Sequence, residues 1–330
     1  MRAVILPHTG GPEALVSAEV PDPHPSSGEV VIDVHATALN FADLLQRKGT
    51  YGTPASLPGI LGIECSGTIH AIGQNVQGWN VGDEVCALVS GGAYAERVAV
   101  PATQLLRRPH NVDIIAAAAL PEAACTVWSN IIDISGLAAG EVVLVHGGAG
   151  GIGTFAIQAS RAIGARVFAT AGGGDKMQRC IDLGAERAIS YRDEDFVTII
   201  RDETAQHGAD VILDNMGAAY LSRNIDALAP DGRIAIIGLQ SGRDAQIPLG
   251  RMMAKRGSLF TTSLRDRPLG AKARIVEGVR RDLWPHVESG RILPTVDRIF
   301  PFAEMAVAHR YMESGRHVGK IVVTVKEKHA

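Results

Sequence analysis

The apolar positions of this chain fall into two textures. Over residues 1–121 they come in short runs broken by glycine and proline. Segments 2–6, 29–34, 67–73 and 82–88 read as strands, and Pro21, Pro23, Pro25, Pro54 and Pro58 punctuate the stretches between them. One helix is predicted from Asn40 to about Lys48, closed by Gly49. From residue 122 the period changes. An apolar run over 141–146 enters a glycine cluster, and helical spacing over 152–163 stops at Gly164. Strand-like runs at 166–170, 188–191, 210–214 and 233–238 follow, with a helix over 175–183. Apolar strands alternating with helices imply parallel pairing, buried on both faces. After residue 266 the texture is mixed: a basic helix over 272–288, a strand at 296–300, a helix over 304–313 and a last strand at 319–325. That tail is too small for a core of its own and is expected to pack back on the N-terminal part. The predicted class is α/β, with a β-rich domain (1–121 and 266–330) and a doubly wound domain (122–265).

Composition supports this and narrows the partners. The 330 residues are 46% hydrophobic and 20% charged, enough for two cores. Lys and Arg number 32 against 35 Asp and Glu, a net charge of −3, so neither nucleic acid nor an anionic membrane is an expected partner. The N-terminus opens in a strand-like run rather than a signal sequence, and no apolar stretch approaches the roughly 18–20 residues that span a bilayer. A cytoplasmic protein is expected. Cys65, Cys86, Cys125 and Cys180 form no C-x-x-C pair and lack histidines at ligand spacing, which predicts buried thiols and no metal.

The strongest local signal is Val142-Val143-Leu144-Val145-His146-Gly147-Gly148-Ala149-Gly150-Gly151-Ile152-Gly153. Gly148, Gly150 and Gly153 satisfy G-x-G-x-x-G between a strand and a helix. One glycine allows the tight turn, the next lets a diphosphate approach the backbone, and the last lets helix and strand pack closely. The helix start at Gly151, Ile152 and Gly153 then offers N–H groups and a positive dipole end. His146 is expected to be a strand-end hydrogen-bonder. The second strand ends in Ala171-Gly172-Gly173-Gly174, without the acid that binds a ribose 2′-hydroxyl. Asp175 is expected at the helix N-cap. Gly172 leaves room for a 2′-phosphate, Lys176 and Tyr191 are candidate partners for it, and Arg316 is a third. NADPH is therefore the expected cofactor, although a solvated helix lysine and an ordinary strand aromatic also account for Lys176 and Tyr191.

Gly140-Glu141, Leu144, Gly148-Ala149-Gly150-Gly151, Gly153, Gln158 and Arg161 match in order and spacing the signature of the quinone oxidoreductase/zeta-crystallin family. The stretches 10–13, 38–44, 59–67, 81–85, 120–123 and 315–322 agree with it, so the chain resembles this family over nearly its whole length. Residues 40–47, Tyr51 and 256–259 are most similar to the p53-inducible quinone oxidoreductase branch. The resemblance implies a GroES-like catalytic domain interrupted by a Rossmann domain, with the active site in the cleft between them. It also implies a homodimer through the Rossmann sheets, for which 258–262 is a candidate edge. Met216, Leu239 and Ser263 are implied near the cofactor, with packing as the alternative for each. Thr126, expected in the first turn of the helix entering the second domain, is a candidate support for the nicotinamide.

One departure bears on the chemistry. Alcohol dehydrogenase relatives place a catalytic zinc-binding cysteine where this chain has Asn40, and their Gly-His-Glu is Gly62-Ile63-Glu64 here. Without those soft ligands a tetrahedral zinc site is not expected. Loss of a Lewis acid favours an easier acceptor, such as a quinone or similar conjugated carbonyl. Asn40, Asp43 and Tyr51 are the candidate polar groups at the acceptor. Capping, a surface acid and loop packing are their respective alternatives, and loops at 51–58 and 263–270 are expected to shape the pocket. The expected function is NADPH-dependent quinone reduction. An alkene or enone reductase using Tyr51 as proton donor is one alternative. A cofactor-bound, non-catalytic binding protein is another.

Overall fold

The computed structural model describes residues 1–51 and 59–326; most of the 51–58 loop thus lies outside the described residues. The chain divides into two compact units. The first comprises Met1–Cys125, Pro268–Glu288 and Pro294–Ala330, and the second Thr126–Arg267 with Ser289–Leu293.

In the first unit the sheet path runs Val296–Pro301, Lys320–Thr324, Glu29–Ala38, Glu64–Ile72, Glu84–Leu88 and Leu105–Arg107, with Arg97–Pro101 also paired to Glu29–Ala38. Neighbours are antiparallel apart from the first two strands, which are parallel. Glu29–Ala38 runs four residues past its predicted end because it has partners along its whole length. Its far end, Ala36–Ala38, pairs with the C-terminal strand, which joins the tail to this sheet. Val30, Ile32, Val34, Ile69, Phe300 and Ile321 meet in one core. The basic helix expected over 272–288 is two helices, Leu269–Asp282 and Trp284–Glu288. Pro285 explains the break: it has no N–H to donate, and its ring would collide with the carbonyl four residues back.

The second unit holds a six-stranded parallel sheet in the order Arg187–Ser190, Arg166–Ala171, Val142–Val145, Ala209–Asp214, Leu228–Ile236, Ser258–Thr261. Numbered along the chain this is 3-2-1-4-5-6, the Rossmann order, which reverses between Val142–Val145 and Ala209–Asp214. Ser258–Thr261 is an edge strand. The residues of Val142–Val145 are all buried, as a central strand covered on both faces requires. Ser289–Leu293 groups with this unit because the Gln158 side chain donates to the Leu293 carbonyl (3.0 Å) and accepts from its N–H (2.9 Å).

The helix Pro121–Val127 continues as a π-helical stretch, Trp128–Ile134, that sequence periodicity does not reveal. Asn130 Nδ2 (2.8 Å) and Ser129 Oγ (3.2 Å) both donate to the Thr126 carbonyl, so side chains take an acceptor the α-helical ladder would use. Among the described residues no helix is long and apolar enough to cross a membrane.

Candidate active site

The glycine turn of the second unit has the construction its spacing suggests. Gly147 holds φ +66°, and a Cβ there would lie 2.6 Å from Asn215 Nδ2. Gly148 donates its N–H to the Thr170 carbonyl (2.8 Å). A Cβ on Gly153 would lie 2.7 Å from Gly148 Cα, so the start of helix Gly151–Ile163 rests directly on the turn. Gly150 is the N-cap and no side chain caps this end. The first-turn N–H groups, including those of Gly151 and Ile152, are thus left to an anion or to water.

At the tip of the second strand, a Cβ on Gly172 would overlap the Tyr191 hydroxyl. The structure therefore brings together a bare strand tip and the phenol at the end of the third strand. Lys176 is half-buried on the adjoining helix, Gly174–Asp182. Asp175 is not the N-cap expected from the sequence. Gly173 holds that position in an extended conformation, and Asp175 sits in the first turn, where its charge suits the helix dipole. Met216 and Leu239 follow the fourth and fifth strands. Their turns touch, since a Cβ on Gly217 would lie 3.1 Å from Leu239 Cα. Ser263, after the sixth strand, is exposed and bonds Asp266 (3.2 Å). Thr126 is the sixth residue of Pro121–Val127 rather than part of its first turn, and is buried. Arg316 belongs to the first unit, where its guanidinium lies 5.6 Å from the centre of the Tyr311 ring.

In the first unit Asn40 and Asp43 share the N-terminus of helix Phe41–Arg47, and neither is a surface residue. Asn40 is the N-cap, and its N–H donates to Asp43 Oδ2 (2.8 Å). The Asn40 amide is held from both ends: Nδ2 donates to Glu64 Oε1 (2.9 Å), and Oδ1 accepts from Lys320 Nζ (2.6 Å). Lys320 is buried, 2.5 Å from Glu64 Oε1 and 3.9 Å from Glu122 Oε2. Burial alone would lower the Lys320 pKa, but the two carboxylates outweigh it and the ammonium is held above its usual value. Glu64 Oε2 accepts the Glu122 N–H (2.9 Å), so the pair is solvated by the protein itself.

Asp43 Oδ2 also accepts from the Tyr94 hydroxyl (3.1 Å), while Oδ1 has no hydrogen-bond partner among the described residues. Burial pushes the Asp43 carboxyl up to about 7. Behind Tyr94 stands His309, with Nε2 3.1 Å from the phenol oxygen and Nδ1 3.2 Å from Arg47. Arg47 can only donate, so Nδ1 accepts and the proton sits on Nε2. Burial and then the Arg47 charge push His309 down to about 3 and keep it neutral. Sequence reasoning missed Glu64, Tyr94, Lys320 and His309 as members of this group. The one available signal was Glu64, the acid kept from the relatives' Gly-His-Glu motif at Gly62-Ile63-Glu64. Tyr51 is half-buried, three residues beyond Lys48, the C-cap of this helix.

The donor set does not fit a zinc ion. Asn40 Oδ1 is engaged by an ammonium, and the next candidate position is the buried alkyl side chain of Ile63. Among the described residues no cluster of three or more His, Cys, Asp or Glu could hold a metal. The four cysteines are buried free thiols, and burial raises the pKa of each, Cys180 to about 12.

Residues 26–110 match the alcohol dehydrogenase GroES-like domain, and residues 183–323 the family described as zinc-binding dehydrogenase. A 2-haloacrylate reductase from Burkholderia sp. is 30% identical over 98% of this chain and 98% of its own length. Among solved structures, an NAD-dependent alcohol dehydrogenase is 34% identical with TM-score 0.88, covering 99% of this chain and all of that one. Escherichia coli quinone oxidoreductase complexed with NADPH is 28% identical with TM-score 0.87, covering 98% of this chain and all of that one. With both domains matched and a full-length relative at this identity, the chain belongs to the medium-chain dehydrogenase/reductase family of oxidoreductases.

Proposed function

We propose that the protein is an NADPH-dependent reductase of quinones and similar conjugated carbonyls. The observation that carries the cofactor assignment is the tip of the second strand, where Gly172 lies bare under the Tyr191 hydroxyl and no acid repels a 2′-phosphate. Tyr191 and Lys176 take the 2′-phosphate. The helix start at Gly151–Gly153, with Gly148 and Gly150 in the turn before it, takes the diphosphate. Thr126 supports the nicotinamide, and Met216, Leu239 and Ser263 lie near the cofactor. When bound, NADPH supplies the hydride.

On the acceptor side, the polar group at Asn40 and Asp43 is hydrogen-bonded internally and aimed rigidly. The Asn40 amide is pinned by Glu64 and Lys320, and Asp43 by Tyr94 and the Asn40 N–H. Such a site orients an acceptor more than it activates one, which suits a quinone, since its reduction restores aromaticity. Tyr51 contacts the acceptor ring or its oxygen. The edge strand Ser258–Thr261 is the proposed dimer contact.

Similarity to the 2-haloacrylate reductase favours a second reading, in which the acceptor is a conjugated alkene and Tyr51 delivers a proton to the carbon beside the carbonyl. NADPH oxidation against 1,2- and 1,4-quinones, enones and 2-haloacrylate, repeated with NADH, separates the readings. A clear preference for NADH overturns the cofactor assignment. Turnover of alkenes alone replaces the first reading by the second.

A further inference from the structure

The Rossmann order reverses between strands Val142–Val145 and Ala209–Asp214, and the turns that follow these two strands form the sides of the switch point where such folds bind ligands. One turn is the glycine turn. The other runs from Asp214 to Gly217. Beneath them lies an unbroken chain of buried side chains that no nucleotide would touch.

The Gly147 N–H donates to Thr170 Oγ1 (3.2 Å), and Thr170 Oγ1 lies 3.1 Å from His146 Nδ1. His146 Nε2 lies 2.8 Å from Asn224 Oδ1. Asn224 Nδ2 donates to Asp214 Oδ2 (3.1 Å), and Asp214 Oδ1 accepts the N–H groups of Met216 (2.6 Å) and Gly217 (3.1 Å). The directions are forced. Asn224 presents its carbonyl oxygen to the histidine, because its amide nitrogen faces the Asp214 carboxylate. His146 therefore carries its proton on Nε2, Nδ1 accepts, and the Thr170 hydroxyl must donate. Reversing any member would set two donors or two acceptors face to face. Thr170, His146, Asn224 and Asp214 are each at most 2% exposed, so no water substitutes easily. Phe196 and Tyr220 hold the imidazole edge-on, with ring centroids 4.9 Å away in both cases.

We infer that Thr170, His146 and Asn224 are positioning residues that lock the glycine turn to the Asp214–Gly217 turn, so that a dinucleotide spanning both finds them already in register. This rests on the proposed binding of NADPH and deepens it. The chain runs from a backbone N–H of one turn to two backbone N–H groups of the other. A network serving fold stability alone has no need to end at both turns.

The test compares two ligands. Adenosine 2′,5′-bisphosphate carries only the adenosine end, whereas NADPH spans both turns. Equilibrium affinities of the purified full-length protein for each are measured by calorimetry for the wild type, Thr170→Val, Thr170→Ser and Asn224→Leu. Each disruptive variant leaves a buried donor or acceptor without its partner, so NADPH affinity is expected to fall about tenfold in Thr170→Val and Asn224→Leu. Affinity for the bisphosphate is expected to stay within about twofold, and Thr170→Ser to recover NADPH binding. Hydrogen exchange at Gly147, Met216 and Gly217 should speed up together in Thr170→Val. Equal weakening of both ligands, or unchanged NADPH affinity in a folded Thr170→Val, overturns the inference. If Asn224→Leu fails to fold, the Val and Ser pair at Thr170 decides. Absence of NADPH binding by the wild type overturns the cofactor assignment instead.

Discussion

Asp43 gives the most exposed prediction. Its carboxyl is fully buried, and burial raises its pKa from 3.8 to about 7. The folded protein therefore holds this proton more tightly than the unfolded chain. The associated stability is complete below pH 3.8 and is lost as pH rises through about 7. Asp43→Asn cannot ionise. Its amide oxygen can still accept from the Asn40 N–H and Tyr94, and its amino group takes the place of Oδ1, so it imitates the protonated acid. At about 1.4 kcal/mol per pKa unit, the variant should gain on the wild type by on the order of 2–3 kcal/mol between pH 5 and pH 9. At roughly 2–4 °C per kcal/mol, that is a relative rise in Tm of roughly 4–12 °C. Calorimetric melting of both proteins at half-unit pH steps measures it. Tyr94→Phe removes a hydrogen bond that favours the ionised form, so it should raise the folded-state pKa further and extend the loss to higher pH. If the Tm difference between Asp43→Asn and the wild type is flat from pH 5 to 9, the buried carboxyl is ionised throughout and the reasoning fails.

Burial keeps His146 and His309 neutral, with values pushed down to about 4 and about 3. The stability they confer is present above pH 6.5 and lost as pH falls through 4 to 3, so His309→Gln should flatten part of the acid limb of a melting profile. Lys320→Met leaves Glu64 buried without its cation and should cost about 3–5 kcal/mol in urea unfolding, whereas the double variant Lys320→Met/Glu64→Gln should recover much of it. Lys176→Ala and Tyr191→Phe should each raise the KM for NADPH several-fold while leaving that for NADH within about twofold. An equal effect on both cofactors would remove these residues from the 2′-phosphate.

Much of the second unit was legible because its signals are local. The glycine spacing, the Gly164 stop and the apolar strands each depend on residues a few positions apart, and the parallel order follows from their alternation. What sequence reading missed is long-range or polar. The break at Leu283 was written in Pro285, but the basic pattern on either side hid it. The π-helical stretch depends on which carbonyl Asn130 reaches, and no periodicity encodes that. Asp43 could be read as a surface acid, because on a helical wheel nothing marks its neighbour as Tyr94, 51 residues away.

The same limit explains the polar heart of the first unit. Asn40, Glu64, Glu122 and Lys320 come from a cap, a strand, a helix and the final strand, and only tertiary pairing joins them. Read singly, Asn40 is a cap and Lys320 a strand-end lysine. Joined, they account for each other. An asparagine accepts a cation's hydrogen bond without adding charge, so one ammonium can serve Glu64 at 2.5 Å and Asn40 at 2.6 Å at once. A second carboxylate, Glu122 at 3.9 Å, offsets the cost of burying it. The strand that delivers Lys320 pairs at Ala36–Ala38, immediately before Asn40, so the register of the tail sets the reach of the cation. A shift of that strand by one residue would turn Lys320 to the opposite face of the sheet and leave Glu64 alone in the core. The tail therefore does more than complete a sheet: it supplies the positive charge that makes a rigid, metal-independent polar site possible at Asn40.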